Sequence, residues 1–114
     1  MGNHRETGRR REEQAAAFLK RNGYEILEQN YRDRYGELDL VAREDDTLVF
    51  VEVKYRKDTA MGYPEEAVGA GKQRQIRRMA AHYLYRKGLP EDVPCRFDVV
   101  AILGEEIRLI RDAF

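Results

Sequence analysis

The sequence has almost none of the side chains that build zinc sites and disulfides. It contains one cysteine, Cys95, and two histidines among 114 residues. A single cysteine cannot form an internal disulfide. Three such side chains also fall short of the four ligands of a zinc site made only of cysteine and histidine. Zinc-dependent chemistry on such a site is therefore a poor interpretation of this chain.

Long apolar runs are also missing. No stretch approaches the twenty or so apolar residues of a membrane-spanning helix, and residues 1–13 lack the apolar centre of a secretory signal. We therefore expect a cytoplasmic protein. Hydrophobic residues still make up 42% of the chain, at a mean hydropathy of −0.75, which is apolar enough for folding. The length predicts a single domain over residues 1–114 with one core.

Net charge is zero, since 21 basic and 21 acidic residues cancel, and this argues against a simple polybasic nucleic-acid binder. The distribution along the chain is uneven. Residues 37–66 carry nine acidic and four basic side chains, whereas residues 67–90 carry six basic and no acidic ones. Sixteen of the 21 basic residues are arginine, whose planar fork suits phosphate. The pattern is typical of a phosphate-handling site, although genomic composition alone would also enrich arginine.

The hydrophobic pattern predicts an α/β protein with the order α-β-β-β-α-β-β and helices packed on a mixed sheet. The second helix is marked by Ile76, Met79, Ala80, Tyr83 and Leu84, which form one helical face and are followed by a stop at Gly88 and Pro90. Residues 57–71 are predicted to form a loop with one short helical turn at 65–68. The other predicted elements are a helix at 6–22 and strands at 24–35, 38–42, 48–53, 97–103 and 107–110.

The most apolar predicted strand, residues 48–53, should lie at the centre of the sheet, and it carries Glu52 and then Lys54. Side chains alternate between the faces of a strand, so Glu52 and Lys54 share one face. If the preceding hairpin turns between Asp45 and Asp46, Asp39 lies directly opposite Glu52. Two carboxylates and an ammonium group then converge on one patch of the sheet.

Two carboxylates at such a short distance repel each other unless a cation lies between them. An all-oxygen ligand set favours Mg²⁺ or Mn²⁺, so Asp39 and Glu52 are candidate ligands of such an ion. The argument depends on register, because a shift by one residue would move Asp39 to the opposite face from Glu52. The alternative is that Glu52 and Lys54 form an ordinary ion pair on an edge strand.

Other charged and aromatic residues have two interpretations each. Arg74, Arg77 and Arg78 lie away from the apolar stripe of their helix, as either a solvated face or a phosphate-contact strip. Glu12 and its neighbour Glu13 are by themselves best interpreted as a solvated helix face. Tyr83 and Tyr85 are interpreted as packing and surface residues rather than as platforms for bases.

Several segments resemble the YraN family of small bacterial proteins, and the resemblance covers nearly the whole chain. The strongest are residues 36–40 (GELDL) and 50–56 (FVEVKYR). Residues 8–15 resemble the family's G-x-x-G-E-x-x-A helix motif, with Arg11 at a position where the family usually has glycine. That change is expected to matter little, because a helix tolerates arginine better than glycine. Further similar segments are residues 64–68, 72–73, 96–100 and 112–114.

By resemblance the family belongs to the PD-(D/E)XK nuclease superfamily, which has the restriction-endonuclease-like fold and includes archaeal Holliday junction resolvases. The resemblance implies that Asp39, Glu52, the carbonyl of Val53 and Glu12 bind the metal. It implies that Lys54 orients or deprotonates the attacking water, and that Gln73 contacts water or phosphate.

The leading hypothesis is a Mg²⁺- or Mn²⁺-dependent endonuclease that hydrolyses branched or otherwise structured DNA. A second hypothesis is a nucleic-acid-binding or scaffolding module that does not cut, and a third is an interaction protein whose hairpin at 97–110 pairs with another chain. Resolvases act in pairs, so the resemblance also brings the expectation of a homodimer, of which the sequence itself shows no sign. The candidate nucleic-acid contacts are Arg9, Arg10, Arg56, Lys72, Arg74, Arg77 and Arg78.

Overall fold

The computed structural model describes the backbone of residues 4–114 and the side chains from residue 8 onward. Two helices flank a five-stranded mixed sheet in the predicted order α-β-β-β-α-β-β, an arrangement compatible with the restriction-endonuclease-like fold. The elements are α1 (His4–Arg21), β1 (Glu25–Asp33), β2 (Gly36–Glu44), β3 (Thr47–Arg56), a 3₁₀ turn (Pro64–Ala67), α2 (Ala70–Arg86), β4 (Cys95–Leu103) and β5 (Glu106–Ile110).

The strands lie side by side in chain order, so β3 is central, as its apolar sequence predicts. Neighbouring strands are antiparallel except for β3 and β4, which run parallel. A parallel pair needs a crossover over one face of the sheet, and the segment that contains α2 provides it. The two helices therefore cover β3 from opposite sides.

The core forms two layers, one on each face of the sheet. Ala15, Ala16 and Leu19 of α1 pack with Val49 and Val51 of β3 on one face. On the other face, α2 contributes the predicted stripe of Ile76, Met79, Ala80, Tyr83 and the half-buried Leu84, which packs with Phe50. The predicted alternation along β3 is thus confirmed.

Some element bounds differ from the prediction, since β2 begins at Gly36 and β4 at Cys95. Helix α2 begins at Ala70, and Gly69 before it has extended backbone. Gly71, which the sequence analysis placed in the loop, is therefore helical. Strand β1 alternates only loosely. Its pairing with β2 shifts between Ile26 and Glu28, and Asn30 adopts a positive φ of 54°.

Within the described residues, neither helix combines the length and the apolar character that a membrane span requires.

A buried charge network lies at the end of the sheet where β2 ends and β4 begins. Asp98 is 0% exposed and accepts hydrogen bonds from the Tyr24 hydroxyl at 2.8 Å and the Arg96 Nε at 2.9 Å. Arg96 also bonds Glu44 at 2.9 Å, and Glu44 in turn accepts from Arg111. The network links residues just before β1 and just after β5 to the middle strands, and it stabilises the end of the sheet opposite the acidic residues described below.

Candidate active site

The β2–β3 hairpin has the register that the sequence predicts. Leu40 pairs with Val51 and Glu44 with Thr47, so Asp39 and Glu52 are the next residues along the two strands. The Asp39 Oδ2 atom accepts a hydrogen bond of 2.9 Å from the Val53 backbone N–H. The Glu52 carboxyl group is close enough to Asp39 to raise its pKa. The two acids therefore meet at the end of the hairpin away from its turn.

Glu52 is 4% exposed, and two lysines compensate its charge. The Lys54 Nζ atom lies 3.7 Å from Glu52 Oε2, on the shared strand face predicted from alternation. The Lys72 Nζ atom, from the first turn of α2, lies closer, at 3.3 Å from the same oxygen. Burial of a carboxylate costs several kcal/mol unless it is paired, which explains why two cations reach the same oxygen.

Three acids come together beside this pair. One carboxylate oxygen from each of Glu12, Glu37 and Asp39 lies within 4.8 Å of the other two. Glu12 is one turn before Ala15 and Ala16, so it continues the core-facing stripe of α1, whereas Glu13 is exposed. Glu37 comes two residues before Asp39 on β2. We call Glu12, Glu37, Asp39 and Glu52 the acidic pocket, an open cavity of about 360 Å³ that Lys54 and Lys72 also line.

Four acids and three cations, Arg11, Lys54 and Lys72, line the acidic pocket, and Glu37 is also paired with Arg32 at 2.8 Å. The pKa of Asp39 is raised well above its ordinary value, first by burial and then by contact with Glu52, while the Val53 N–H opposes the shift and Glu12 adds to it. Burial also raises the pKa of Glu12, the side chain of Asn30 lowers it through a hydrogen bond, and Glu37 raises it again. Both shifts have the sign that a divalent cation would reverse.

The donor set fits a hard cation. Glu12, Glu37 and Asp39 offer only carboxylate oxygens, which suit Mg²⁺ or Mn²⁺, whereas zinc sites favour nitrogen and sulfur. Two ligands on one Mg²⁺ lie at most about 4.2 Å apart, since each bond is about 2.1 Å long. The three oxygens, within 4.8 Å of one another, would have to come closer to share one ion, and Glu37 would turn away from Arg32, which now lies 2.8 Å from it. Glu52 and Val53, which the resemblance names as further ligands, line the same cavity.

The sequence analysis missed two residues of the site, and each left a signal. Glu37 and Asp39 are an i, i+2 acidic pair, which places both on one face of β2. Asn30 lies opposite Asp39 between the pairs Gln29 with Leu40 and Tyr31 with Leu38. Its positive φ, which asparagine tolerates better than most residues, accompanies the turn of its amide toward Glu12.

Two residues with predicted roles lie apart from the acidic pocket. The Gln73 amide donates a hydrogen bond of 3.0 Å to the Val68 carbonyl, and its side chain lines a different cavity. This contact holds the start of α2 against the preceding loop. The Arg77 guanidinium lies 4.8 Å from the ring centroid of Phe97 and 5.6 Å from that of Phe114. Its packing on these rings gives Arg77 a contact within the fold.

The other predicted nucleic-acid contacts are spread around the acidic pocket. Lys72 lies inside it, and Arg9 lines an adjoining cavity with Glu12 and Glu37. Arg10, Arg74 and Arg78 are exposed. Arg56 is half-buried and lines a neighbouring cavity together with Tyr55.

Arg11 lies at the acidic pocket, although the sequence analysis expected this residue to matter little. Its guanidinium carbon lies 3.9 Å from the centroid of the Tyr55 ring, and its side chain lines the acidic pocket. A glycine at position 11 would remove this contact.

The sequence comparisons agree with the motifs. Residues 11–102 match the profile of the uncharacterised protein family UPF0102. The chain belongs to UPF0102. This confirms the resemblance to the YraN family, and the matched range includes every member of the acidic pocket. A UPF0102 protein of Lachnoclostridium phytofermentans is 56% identical over 107 residues, covering 94% of this chain and 91% of that protein.

Other UPF0102 relatives match over similar lengths. A protein of Nitrosomonas europaea is 49% identical over 106 residues, covering 90% of this chain and 88% of its own. A protein of Caldicellulosiruptor saccharolyticus is 43% identical over 118 residues, covering 98% of this chain and 99% of its own. The UPF0102 chains are therefore similar from end to end rather than in one shared segment.

Proposed function

We propose that this UPF0102 protein is a Mg²⁺- or Mn²⁺-dependent endonuclease that hydrolyses phosphodiester bonds in branched or otherwise structured DNA. The observation that carries the proposal is the convergence of Glu12, Glu37, Asp39 and Glu52 beside Lys54 and Lys72 in one open cavity. Its membership of the nuclease superfamily, its action as a homodimer and a cytoplasmic location are parts of the same proposal.

The acids would hold the metal. Asp39 lies at the centre of the set, because it contacts Glu52 and is close to both Glu12 and Glu37. With the Val53 carbonyl these residues would bind one ion, or two in neighbouring positions. A bound divalent cation would polarise the scissile phosphate and make a water molecule more acidic.

Lys54 and Lys72 have separate roles in the proposed reaction. Lys54 is half-buried, and its ammonium group reaches the pocket from the same strand as Glu52. From there it would orient the attacking water and offset the negative charge that grows on the phosphate in the transition state. Lys72 holds Glu52 in place from α2. It would become free to contact phosphate once a metal ion balances the charge of Glu52.

The first prediction compares two adjacent glutamates of α1. Glu12→Gln should weaken Mn²⁺ binding at least tenfold and reduce cleavage in parallel, because Glu12 faces Asp39. Glu13→Gln should change neither, because Glu13 is exposed on the same helix. The measurement is calorimetric titration of Mn²⁺, run beside a cleavage assay on linear, single-stranded, flapped and four-way DNA.

The two variants have the same change in charge and helix propensity, so each is a control for the other. Equal Mn²⁺ affinity and equal cleavage in Glu12→Gln and Glu13→Gln would contradict the role of Glu12. A folded wild-type protein that neither binds Mn²⁺ nor cuts any substrate would contradict the proposed function as a whole.

The second prediction separates chemistry from metal binding. Lys54→Met should lower the rate of cleavage by about 10² to 10³, as for the loss of one group that stabilises the transition state. Mn²⁺ affinity should be unchanged or higher, because a cation next to Glu52 is removed. Single-turnover cleavage at saturating Mn²⁺ measures the rate, and Lys57→Met is the control on an exposed lysine. An equal loss of rate in both variants would mean that general charge, rather than position, matters.

One observation favours the alternative of a nucleic-acid-binding module that does not cut. The charge of Glu52 is already compensated by Lys54 and Lys72, as expected for an ion pair that only stabilises the sheet. That function predicts salt-sensitive DNA binding that survives Asp39→Asn and falls when Arg74 and Arg78 are neutralised. Metal-dependent cleavage that disappears in Asp39→Asn would exclude it.

A further inference from the structure

A second concave surface lies between the β1–β2 turn and α2. It has a volume of about 550 Å³, and we call it the Tyr35 groove. Two of its aromatic side chains are well exposed, Tyr35 at 53% and Tyr85 at 86%. The groove is lined by Asp33, Tyr35, Arg78, His82, Tyr85 and Arg86.

The ring of Tyr35 is held in place rather than free. It stacks on the imidazole of His82 with centroids 4.5 Å apart and an interplanar angle of 9°. Tyr35 is 53% exposed, so the stacked pair forms an aromatic platform at the surface. Such platforms are where proteins stack the bases of single-stranded nucleic acid.

Positive charge surrounds the platform. The Arg34 guanidinium carbon is 5.1 Å from the Tyr35 centroid, and Arg78 and Arg86 line the groove from α2. Asp33 is the acidic residue of the lining, and its Oδ2 atom lies 3.9 Å from Arg86. The balance of charge therefore favours an anionic occupant whose bases can stack, which describes a nucleic-acid strand better than an apolar peptide.

The Tyr35 groove and the acidic pocket have no lining residue in common, and the start of β2 connects them. Tyr35 lies two residues before Glu37, and two residues of extended chain span at most about 7 Å. Gly36 fixes the turn against α2, because a Cβ atom on it would lie 3.3 Å from the side chain of Met79. A strand that lies on Tyr35 would therefore start near the Glu37 end of the acidic pocket.

We propose that the Tyr35 groove binds an unpaired segment of DNA next to the phosphodiester bond to be cut, with bases on Tyr35 and Tyr85 and phosphates on Arg78 and Arg86. The role beside a cleaved bond rests on the proposed function, whereas strand binding does not. The groove would then select substrates with a single-stranded arm over continuous duplex.

The test measures binding without cleavage. A fluorescein-labelled oligo-dT of about 15 nucleotides is titrated with protein in EDTA, in a background of Asp39→Asn, and a duplex of equal length is titrated in parallel. Tyr35→Ala and Tyr85→Ala should each weaken oligo-dT binding about tenfold and duplex binding less than about twofold. Tyr35→Phe and Tyr85→Phe keep the ring and should bind oligo-dT within about twofold of the parent.

Other outcomes would overturn the inference. Oligo-dT binding that is unchanged in both alanine variants would mean that no base stacks there, and equal losses for oligo-dT and duplex would show a contact with phosphate alone. The cleavage assay on the wild type, described above, separates the two proposals. If the wild type cuts DNA but the tyrosine variants bind oligo-dT unchanged, the groove inference is wrong and the nuclease proposal stands. If strand binding depends on the tyrosines but the wild type cuts no substrate, the groove inference stands and the nuclease proposal is wrong. Tyr85 is so exposed that its variants should fold normally.

Discussion

Asp39→Asn should make the metal-free protein more stable and at the same time remove its response to Mn²⁺. Asp39 is buried against Glu52, and its pKa is raised, so folding at neutral pH works against its ionisation. Asparagine keeps an oxygen for the Val53 N–H and adds a donor toward Glu52. We expect the Tm of the metal-free protein to rise by about 5–10 °C at pH 7.

The pH dependence has a defined sign. A carboxyl group with a raised folded pKa favours folding below its unfolded value, near 4, and this contribution is lost as pH rises toward the folded value. The gain in Tm from Asp39→Asn should therefore vanish near pH 4 and grow as the pH rises to neutrality. A gain that is constant over this range would mean that packing, not ionisation, is responsible.

Mn²⁺ should act on the wild type alone. At about 100 times the dissociation constant it should stabilise the wild type by about 2.7 kcal/mol and leave Asp39→Asn unchanged. Differential scanning calorimetry with EDTA or Mn²⁺ measures both effects. Asp92→Asn, on an exposed aspartate, should behave as the wild type in both buffers. A stabilised variant that still responds to Mn²⁺ would contradict the placement of Asp39 in the metal site.

Asp98→Ala should cause the largest loss of stability. The Asp98 carboxylate is fully buried and accepts hydrogen bonds from Tyr24, Arg96 and the Asp112 backbone N–H. Its removal leaves Arg96 partly buried without its main partner, which costs about 3–5 kcal/mol in comparable sites. We expect the Tm to fall by on the order of 15 °C.

The experiment is urea unfolding followed by circular dichroism, with Asp112→Asn as the matched control. Asp112 is exposed and has a φ of 52°, which asparagine accepts, so its side chain should be replaceable with little effect. Tyr24→Phe removes one hydroxyl from the network and should cost about 1 kcal/mol. A loss for Asp98→Ala no larger than for Tyr24→Phe would show that water replaces the network.

Local patterns in the sequence were enough to predict the order of elements and the core of the site. Alternation set the faces of β3, and the turn at Asp45 and Asp46 set the register, which together brought Asp39 to Glu52. These are short-range relations, and strand periodicity determines them without knowledge of the rest of the chain.

The remaining contacts depend on where distant elements dock. Lys72 is close to Glu52 only because the first turn of α2 docks beside β3. Glu12 is close to Glu37 only because α1 packs on the sheet with this residue beside β2. The network around Asp98 joins residues more than seventy positions apart in the sequence. Neither charge pattern nor periodicity contains such docking distances. The i, i+2 spacing of Glu37 and Asp39 gives their shared face but not the approach of Glu12, and the role of Gln73 came from the family resemblance alone.

The parallel pairing of β3 with β4 has a consequence for the order of assembly. The paired residues of the β2–β3 hairpin are separated by a short turn. Leu48 of β3 and its partner Cys95 of β4 are separated by the whole segment that contains α2. Because long loops close more slowly than short ones, the hairpin should form first. Asp39 and Glu52 would then meet before Lys72 arrives, with Lys54 of the same hairpin as the first cation beside Glu52. Protons or divalent ions in the surrounding solution can ease the repulsion that remains.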